Sequence, residues 1–227
     1  MIRSTQATSV GSHRWMGSII LGLMSFICTS AAFAETPIFV TLKFGSTASI
    51  DVPRTWTPLN QNLREQLKTT GSALLELSGS PGLTSEYHNL VAANAYTVDD
   101  LPSATMRLSY DPGQTMTQED IRSFTLAELN EVARMMAVQI ERSFALNNDP
   151  QKIVAIGGEL RKCGRHDAIV IKYTRTDTRK VENIVEISMI FLGTHSIRLT
   201  LSCRTSEELF FRAQLSRIRE SLAAGPR

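Results

Sequence analysis

Cys163 and His166 are the residues whose types and spacing come closest to chemistry. A two-residue turn at Gly164-Arg165 would set them opposite each other, with Asp167 next along. A thiol within reach of an imidazole is the minimum for a nucleophile–base pair. The same turn places both at an exposed hairpin tip, where no cleft positions a substrate or excludes water, so the spacing reads as structural. The other histidines add nothing catalytic: His88 follows Glu86-Tyr87 at a loop–strand border, and His195 falls in a hairpin loop. The chain has no His-Glu-x-x-His, no Cys-x-x-Cys and no histidine pair at ligand spacing on one helix. The run 78–82 (Ser-Gly-Ser-Pro-Gly) misses the G-x-S-x-G elbow at its first position. Gly157-Gly158 inside a strand points to a bulge or to close packing under a helix rather than to phosphate binding. The sequence therefore names no catalytic residue, no cofactor site and no metal ligand.

A second constellation is basic. Arg161, Lys172, Arg175, Arg179, Lys180 and Arg198, with Lys162, Arg165 and Arg204 near them, gather on the polar face and turns of a predicted strand meander. Glu159, Glu182 and Glu186 dilute the charge, and a cross-strand pair such as Glu186 with Arg198 would consume part of it. Mixed surface charge is ordinary. This set is nonetheless the candidate interaction surface, suited to an acidic envelope polymer or an envelope protein partner.

The first 34 residues say where such a partner would be met. Arg3 and Arg14 make a basic, acid-free start, Ile19 to Cys28 is a short apolar run, and Ala32-Phe33-Ala34 precedes Glu35. That is the order of a secretory signal peptide with a small-x-small cleavage site. The apolar run is short for a membrane span and no basic stop-transfer flank follows it, so no transmembrane anchor is expected after cleavage. The reading is an exported, periplasmic or secreted protein: 1–34 as leader, 35–227 as one domain. The leader holds two of the 24 Lys and Arg residues and none of the 22 Asp and Glu, so the remainder is neutral overall. A neutral chain gives no bulk electrostatic reason to expect nucleic acid as partner.

The elements that must position these residues follow from periodicity. Ile38 to Phe44 and Ala48 to Val52 read as an N-terminal hairpin that ends at Pro53, and Pro53 and Pro58 bracket Trp56. Leu59 to Leu77 reads as helix, and 90–96 and 105–110 as strands. Thr125-x-x-Glu128 is a capping box ahead of an apolar stripe at Leu129, Ala133, Met136, Ile140 and Phe144. Thr117-x-x-Asp120 is a weaker start signal. Thr205-x-x-Glu208 repeats the box ahead of Phe211, Leu215, Ile218 and Leu222.

Between the helices lie four alternating strands. Their apolar faces read Val154/Ile156/Leu160, Ile169/Ile171/Tyr173, Val185/Ile187/Met189/Phe191 and Ile197/Leu199/Leu201/Cys203. Such alternation predicts an α+β fold: an antiparallel sheet with one buried and one wet side, its helices packed on the buried side. Parity predicts Leu160 opposite Ile169 across a type II′ turn at Gly164-Arg165, and Met189 opposite Leu199 across a loop at Gly193-Thr194-His195. Export and two remaining cysteines invite a Cys163–Cys203 disulfide. The predicted topology sets them roughly 25–30 Å apart at about 3.3 Å per residue, with Cys163 on the wet face, so the pairing stays open.

Together, the hairpin ending in Val52-Pro53-Arg54-Thr55-Trp56, the mid-chain helix, the meander with its glycine hairpin from Leu160 to Ala168, and a closing helix ending Ile218-Arg219-Glu220-Ser221-Leu222 resemble the PsbP-like and DcrB-like α/β sandwich families. The segment from Leu59 to Asn89 is longer than that pattern calls for. The resemblance implies an accessory binding or assembly role in an exported compartment and transfers no catalytic residue. The competing reading is a small periplasmic hydrolase or ligand-binding protein with a pocket between sheet and helices near Trp56 and the Leu59 to Asn89 segment.

Overall fold

The structure, a computed structural model, describes residues 37–44, 46–59, 88–97, 101–113, 115–146 and 150–225. The leader and all of the predicted helix after Leu59 lie outside the described residues. Thr36–Arg227 form one compact unit. No helix among the described residues is long and apolar enough to cross a membrane.

β1 (Phe39–Phe44) and β2 (Ala48–Pro53) form the N-terminal hairpin. β2 also pairs with β10 (Ala223–Ala224) at the chain's end, making a three-stranded sheet. The larger sheet has seven strands in the order β3-β4-β5-β9-β8-β7-β6. They are β3 (Thr57–Pro58), β4 (His88–Ala95), β5 (Ala104–Asp111), β6 (Lys152–Cys163), β7 (His166–Thr176), β8 (Glu182–Phe191) and β9 (Ser196–Arg204). Every pairing in it is antiparallel. The helices are α1 (Gln118–Arg122), α2 (Leu126–Leu146) and α3 (Glu208–Ser221). The class is α+β, as the alternation predicts.

The β6–β7 hairpin has the predicted register. Leu160 faces Ile169 and Cys163 faces His166, across Gly164-Arg165. Gly164 has φ +56° and Arg165 does not have positive φ, the pattern of a type II′ turn. A side chain at Gly164 would collide with the Leu222 carbonyl, so the tip is pressed against the end of α3. Gly157-Gly158 is both things expected of it. The register shifts between Ala155 and Gly157, a bulge that leaves Ile156 unpaired, and a Cβ at Gly158 would run into the Leu129 carbonyl of α2.

The β8–β9 register differs from the prediction by one residue. Ser188, not Met189, faces Leu199, and Ile190 faces Ile197. The connecting loop has four residues, Leu192 to His195, closed by a bond from Leu192 N–H to the His195 carbonyl at 2.9 Å. The physical reason is that β8 is covered on both faces. Val185 and Ile187 are buried on one side, Ser188 and Ile190 on the other, so its alternation does not say which face meets β9. A one-residue shift exchanges faces for the whole of β9 and everything beyond it.

That shift places the two long helices on opposite faces of the sheet rather than together. Directly paired residues share a face. On one face Ile171, Ile187, Thr200 and Arg107 form a row across β7, β8, β9 and β5, and α2 packs over its apolar end. On the other face Val170, Ser188, Leu199 and Leu108 form the matching row, covered by Phe211, Ile218 and Leu222 from the α3 segment and by Ile50, Val52 and Trp56. The core is thus two apolar layers with the seven-stranded sheet between them.

Local signals explain the helices. The boxes at Thr117/Asp120 and Thr125/Glu128 both close: Thr125 N–H donates to Glu128 at 2.7 Å, Glu128 N–H to Thr125 at 3.3 Å, and Thr117 N–H to Asp120 at 2.7 Å. Leu129 and Ala133 are buried while Met136, Ile140 and Phe144 pack half-buried, as the stripe requires. The box at Thr205 does not form. A 3-10 turn over Thr205–Glu207 intervenes, α3 begins at Glu208 without a side-chain cap, and Thr205 Oγ1 is buried without a partner. Glu207 instead reaches Thr97 and Ser103, at 3.1 and 3.2 Å, tying the turn to the end of β5.

Two readings of β6 are corrected. Val154 and Ile156 are not on its buried face: they are 47 and 57% exposed, while Ile153 and Gly158 are covered by α2 and Leu160, on the same face as Gly158, is left 36% exposed beyond the cover. The bulge at Ile156 breaks the period-2 count between them. Cys163 does not face solvent either; it is buried in the cluster under α3.

Candidate functional site

The polar positions of the predicted meander separate onto the two faces. Arg161 and Lys172 lie on the α3 side, in a network of ion pairs. Arg161 pairs with Glu159 at 2.5 Å and Glu186 at 3.5 Å; Lys172 reaches Glu159 at 3.0 Å and Glu186 at 3.7 Å; Arg219 of α3 pairs with Glu186 at 2.9 Å. These charges are locally neutralised and serve to seat α3 beside the sheet. Lys162 pairs with Asp167 at 2.6 Å.

Arg175 and Arg198 lie on the α2 face, and with them Arg107, which the sequence reading did not single out. The row Thr105–Ser202–Val185–Tyr173 and the row Arg107–Thr200–Ile187–Ile171 run side by side across this face. Its β7–β8 half is apolar and roofed by α2. Its β9–β5–β4 half carries Ser202, Thr200, Arg198, Thr105, Arg107 and Asn94, and α2 does not extend over it. At the edge of the roof lies a cleft of about 200 Å³, lined by Asn94, Thr105, Arg107, Arg175, Arg179 and Arg204 among others.

Each arginine reaches the cleft for a local reason. Arg107 and Arg175 are strand residues whose parity points them to this face. Arg175 leaves the strand end over the Phe144 ring of α2, 5.8 Å from its centroid. Arg204 ends β9, donates to the Leu101 carbonyl at 2.9 Å and pairs with Glu207 at 3.5 Å. Arg179 sits in the β7–β8 turn, which Asp177 organises: its carboxylate accepts from the Arg179 and Val181 N–H groups, both at 2.9 Å. Lys180 takes φ +63° to close that turn and does not line the cleft.

Electrostatically the cleft is one-sided. Among the described residues no carboxylate lies within ion-pair distance of Arg107, Arg175 or Arg179, and the one lining acid, Asp177, is engaged by its own turn. Arg175 Nε is buried without a hydrogen-bond partner. Arg107 is exposed as a residue, yet desolvation of its guanidinium, followed by the charges of Arg175 and Arg198, pushes its pKa down. Tyr173 beneath them is pushed up by burial, an effect the same arginines oppose. Polar hydroxyls complete the floor, with Thr105 and Ser202 hydrogen-bonded at 2.7 Å.

The thiol–imidazole pair is not assembled. Cys163 Sγ donates to the Arg219 carbonyl at 3.5 Å, and burial pushes its pKa up to about 12. His166 Nε2 accepts from Arg165 at 3.2 Å and lies 3.3 Å from the Ala224 carbonyl. A thiol so held is protonated at neutral pH and is no nucleophile. Cys163 and Cys203 are both free and buried. Trp56, where the competing reading placed a pocket, is packed edge-on against Phe211 at 6.2 Å, and its indole N–H donates to Gln214 at 3.0 Å. The segment after Leu59 that would complete such a pocket lies outside the described residues. His195 is buried against the Tyr110 ring at 5.3 Å. Among the described residues no group of three or more His, Cys, Asp or Glu side chains is placed to hold a metal ion.

No protein-family model and no curated protein matches the sequence. Solved structures do match the fold. Cyanobacterial PsbP (CyanoP) from Synechocystis sp. PCC 6803 superposes with a TM-score of 0.52 at 9% identity, over 87% of this chain and 98% of that one. LpqN of Mycobacterium tuberculosis, described as involved in cell envelope biogenesis, gives a TM-score of 0.44 at 14% identity over 83% of this chain and 91% of its own. Of these two the first exceeds 0.5, and at 9% identity it speaks for the fold alone. The chain has a PsbP-like α/β sandwich fold.

Proposed function

We propose that this chain is an exported accessory protein of the cell envelope that binds an acidic partner and does no chemistry on it. The acid-free basic start, apolar run and Ala-Phe-Ala ending at residue 34 support export to the periplasm. The PsbP-like fold is compatible with an accessory role, and the arginine-lined face supports the acidic character of what is bound. The single observation that carries the reading is that Arg107, Arg175 and Arg179 line one cleft with no carboxylate in ion-pair reach among the described residues. Arg107 feels the charges of Arg175 and Arg198, and an anion placed among these guanidinium groups would relieve that repulsion.

This narrows the interaction surface. Arg175, Arg179 and Arg198 stay in it, Arg107 and Arg204 join it, and Arg161 and Lys172 leave it for the ion-pair network under α3. The test is retention of the mature chain on immobilised poly-glutamate at low salt. The wild type and Lys43→Glu, exposed on β1, are expected to be retained, and Arg107→Glu with Arg175→Glu is expected to flow through. Equal retention of all three would remove this face from the reading.

A further inference from the structure

The dimensions and charge of the cleft say more about its occupant than that it is acidic. At about 200 Å³ it is smaller than the ~300–1,000 Å³ of sites that enclose whole drug-sized ligands, so it suits one charged group of a larger or smaller molecule. Its donors are guanidinium forks from three separate elements: Arg107 on β5, Arg175 on β7 and Arg179 in the turn that follows. Three guanidinium groups lining one small space can share the three acceptor oxygens of a phosphate, more than the two of a carboxylate.

The charge count points the same way. A carboxylate brings one charge and two acceptor oxygens. A phosphate ester brings about −1.5 to −2 and three acceptor oxygens, enough to face several guanidinium groups at once. Glu207 and the Leu101 carbonyl already engage Arg204, and Asp177, the one acid lining the cleft, spends Oδ1 on the backbone N–H groups of its own loop. The buried, unpartnered Nε–H of Arg175 is a donor that the protein itself leaves unsatisfied, in a class of groups that are nearly always paired. Thr105, Ser202 and Asn94 add neutral donors at the floor.

We infer that this cleft receives a single phosphate group, gripped by Arg107 and Arg175, with Arg179 and Arg204 flanking it and the Thr105–Ser202 hydroxyl pair beneath. The inference rests on the reading that this face meets the acidic partner, and it names the part of that partner which is recognised. The phosphate belongs either to a small soluble ester or to a lipid headgroup; the chemistry of the grip is the same.

The experiment titrates the mature chain with inorganic phosphate, glycerol 3-phosphate, acetate and citrate at low ionic strength, following heat of binding and the Arg Nε–H resonances. Phosphate and glycerol 3-phosphate are expected to bind with a shifted Arg175 Nε–H signal, and Arg107→Gln and Arg175→Gln each to weaken binding by about tenfold or more. Lys43→Gln is expected to bind as the wild type does. Vesicles of phosphatidylcholine with and without phosphatidic acid separate the sources: sedimentation lost in Arg107→Gln assigns a lipid headgroup, and binding of the soluble esters alone assigns a soluble one. No binding at millimolar phosphate, an unshifted Arg175 signal, citrate or acetate binding as tightly as phosphate, or binding indifferent to both arginine variants would each overturn the assignment. Retention on poly-glutamate without phosphate binding would leave the face intact and remove only the phosphate; phosphate binding without retention would do the reverse.

Discussion

Arg219 of α3 and Glu186 of β8 face each other at 2.9 Å, each side chain only 13% exposed. Glu186 also receives Arg161 and Lys172, so one carboxylate on the sheet anchors the helix and three cations. Removing one partner of a largely desolvated pair leaves the other uncompensated. Glu186→Gln is expected to lower stability by about 2 kcal/mol, read as a shift of the urea midpoint with unchanged slope. An unshifted midpoint would mean that the network is solvated.

The bulged glycines of β6 differ in what stands over them. At Gly158 an added Cβ meets the backbone carbonyl of Leu129, whereas at Gly157 the nearest atom is the Asn130 side-chain oxygen, 3.0 Å away, which can yield a few tenths of an ångström while still accepting the Gly158 N–H. Gly158→Ala is expected to destabilise by about 2–3 kcal/mol and Gly157→Ala by markedly less, compared by thermal unfolding. Equal effects would mean that α2 does not press on Gly158.

Three carboxylates contribute to the acid limb of stability. Hydrogen bonds from Thr117 to Asp120 and from Thr125 to Glu128, and the Lys162 and Arg122 partners of Asp167, hold these groups below the usual carboxylate range. A depressed folded pKa stabilises above the unfolded value, near 4, and that contribution is lost as pH falls through the folded pKa. The unfolding midpoint should therefore fall between about pH 5 and about pH 3, and Glu128→Gln should flatten part of that fall. An identical pH profile in the variant would exclude the cap as a contributor.

The two thiols make a test of burial. Cys163 is pushed up to about 12 and Cys203 to about 11, both mainly by desolvation. Native protein near pH 8 is expected to resist iodoacetamide at both positions and to gain two adducts on unfolding, counted by intact mass. Rapid native labelling of Cys163 would show that α3 lifts from the hairpin.

What the sequence disclosed depended on whether an element has a wet side. The β6–β7 register followed from Gly164-Arg165, because a turn of two residues leaves no other parity. The helix stripes followed from 3.6-residue spacing, and both working caps from a hydroxyl three residues before a carboxylate. β8 disclosed nothing about its partner, because Val185, Ile187, Ser188 and Ile190 are buried on both sides. The missed residue of the cleft, Arg107, carried a signal: Thr105, Arg107 and Ser109 alternate as polar residues along β5. Recognising it required knowing that β5 pairs with β9, a contact between segments about ninety residues apart, and β9 is the strand whose register on β8 differs from the prediction.

β6 is the outermost strand of the seven, twelve residues long, and α2 leans over it. Asn130 takes the Gly158 N–H at 3.1 Å, and Glu141 stands 3.5 Å from the Ile153 N–H. Side chains of one helix thus stand where a neighbouring molecule's backbone would have to dock. Together with the bulge at Ile156, they obstruct the ladder along the middle of that rim and so oppose its growth into fibres.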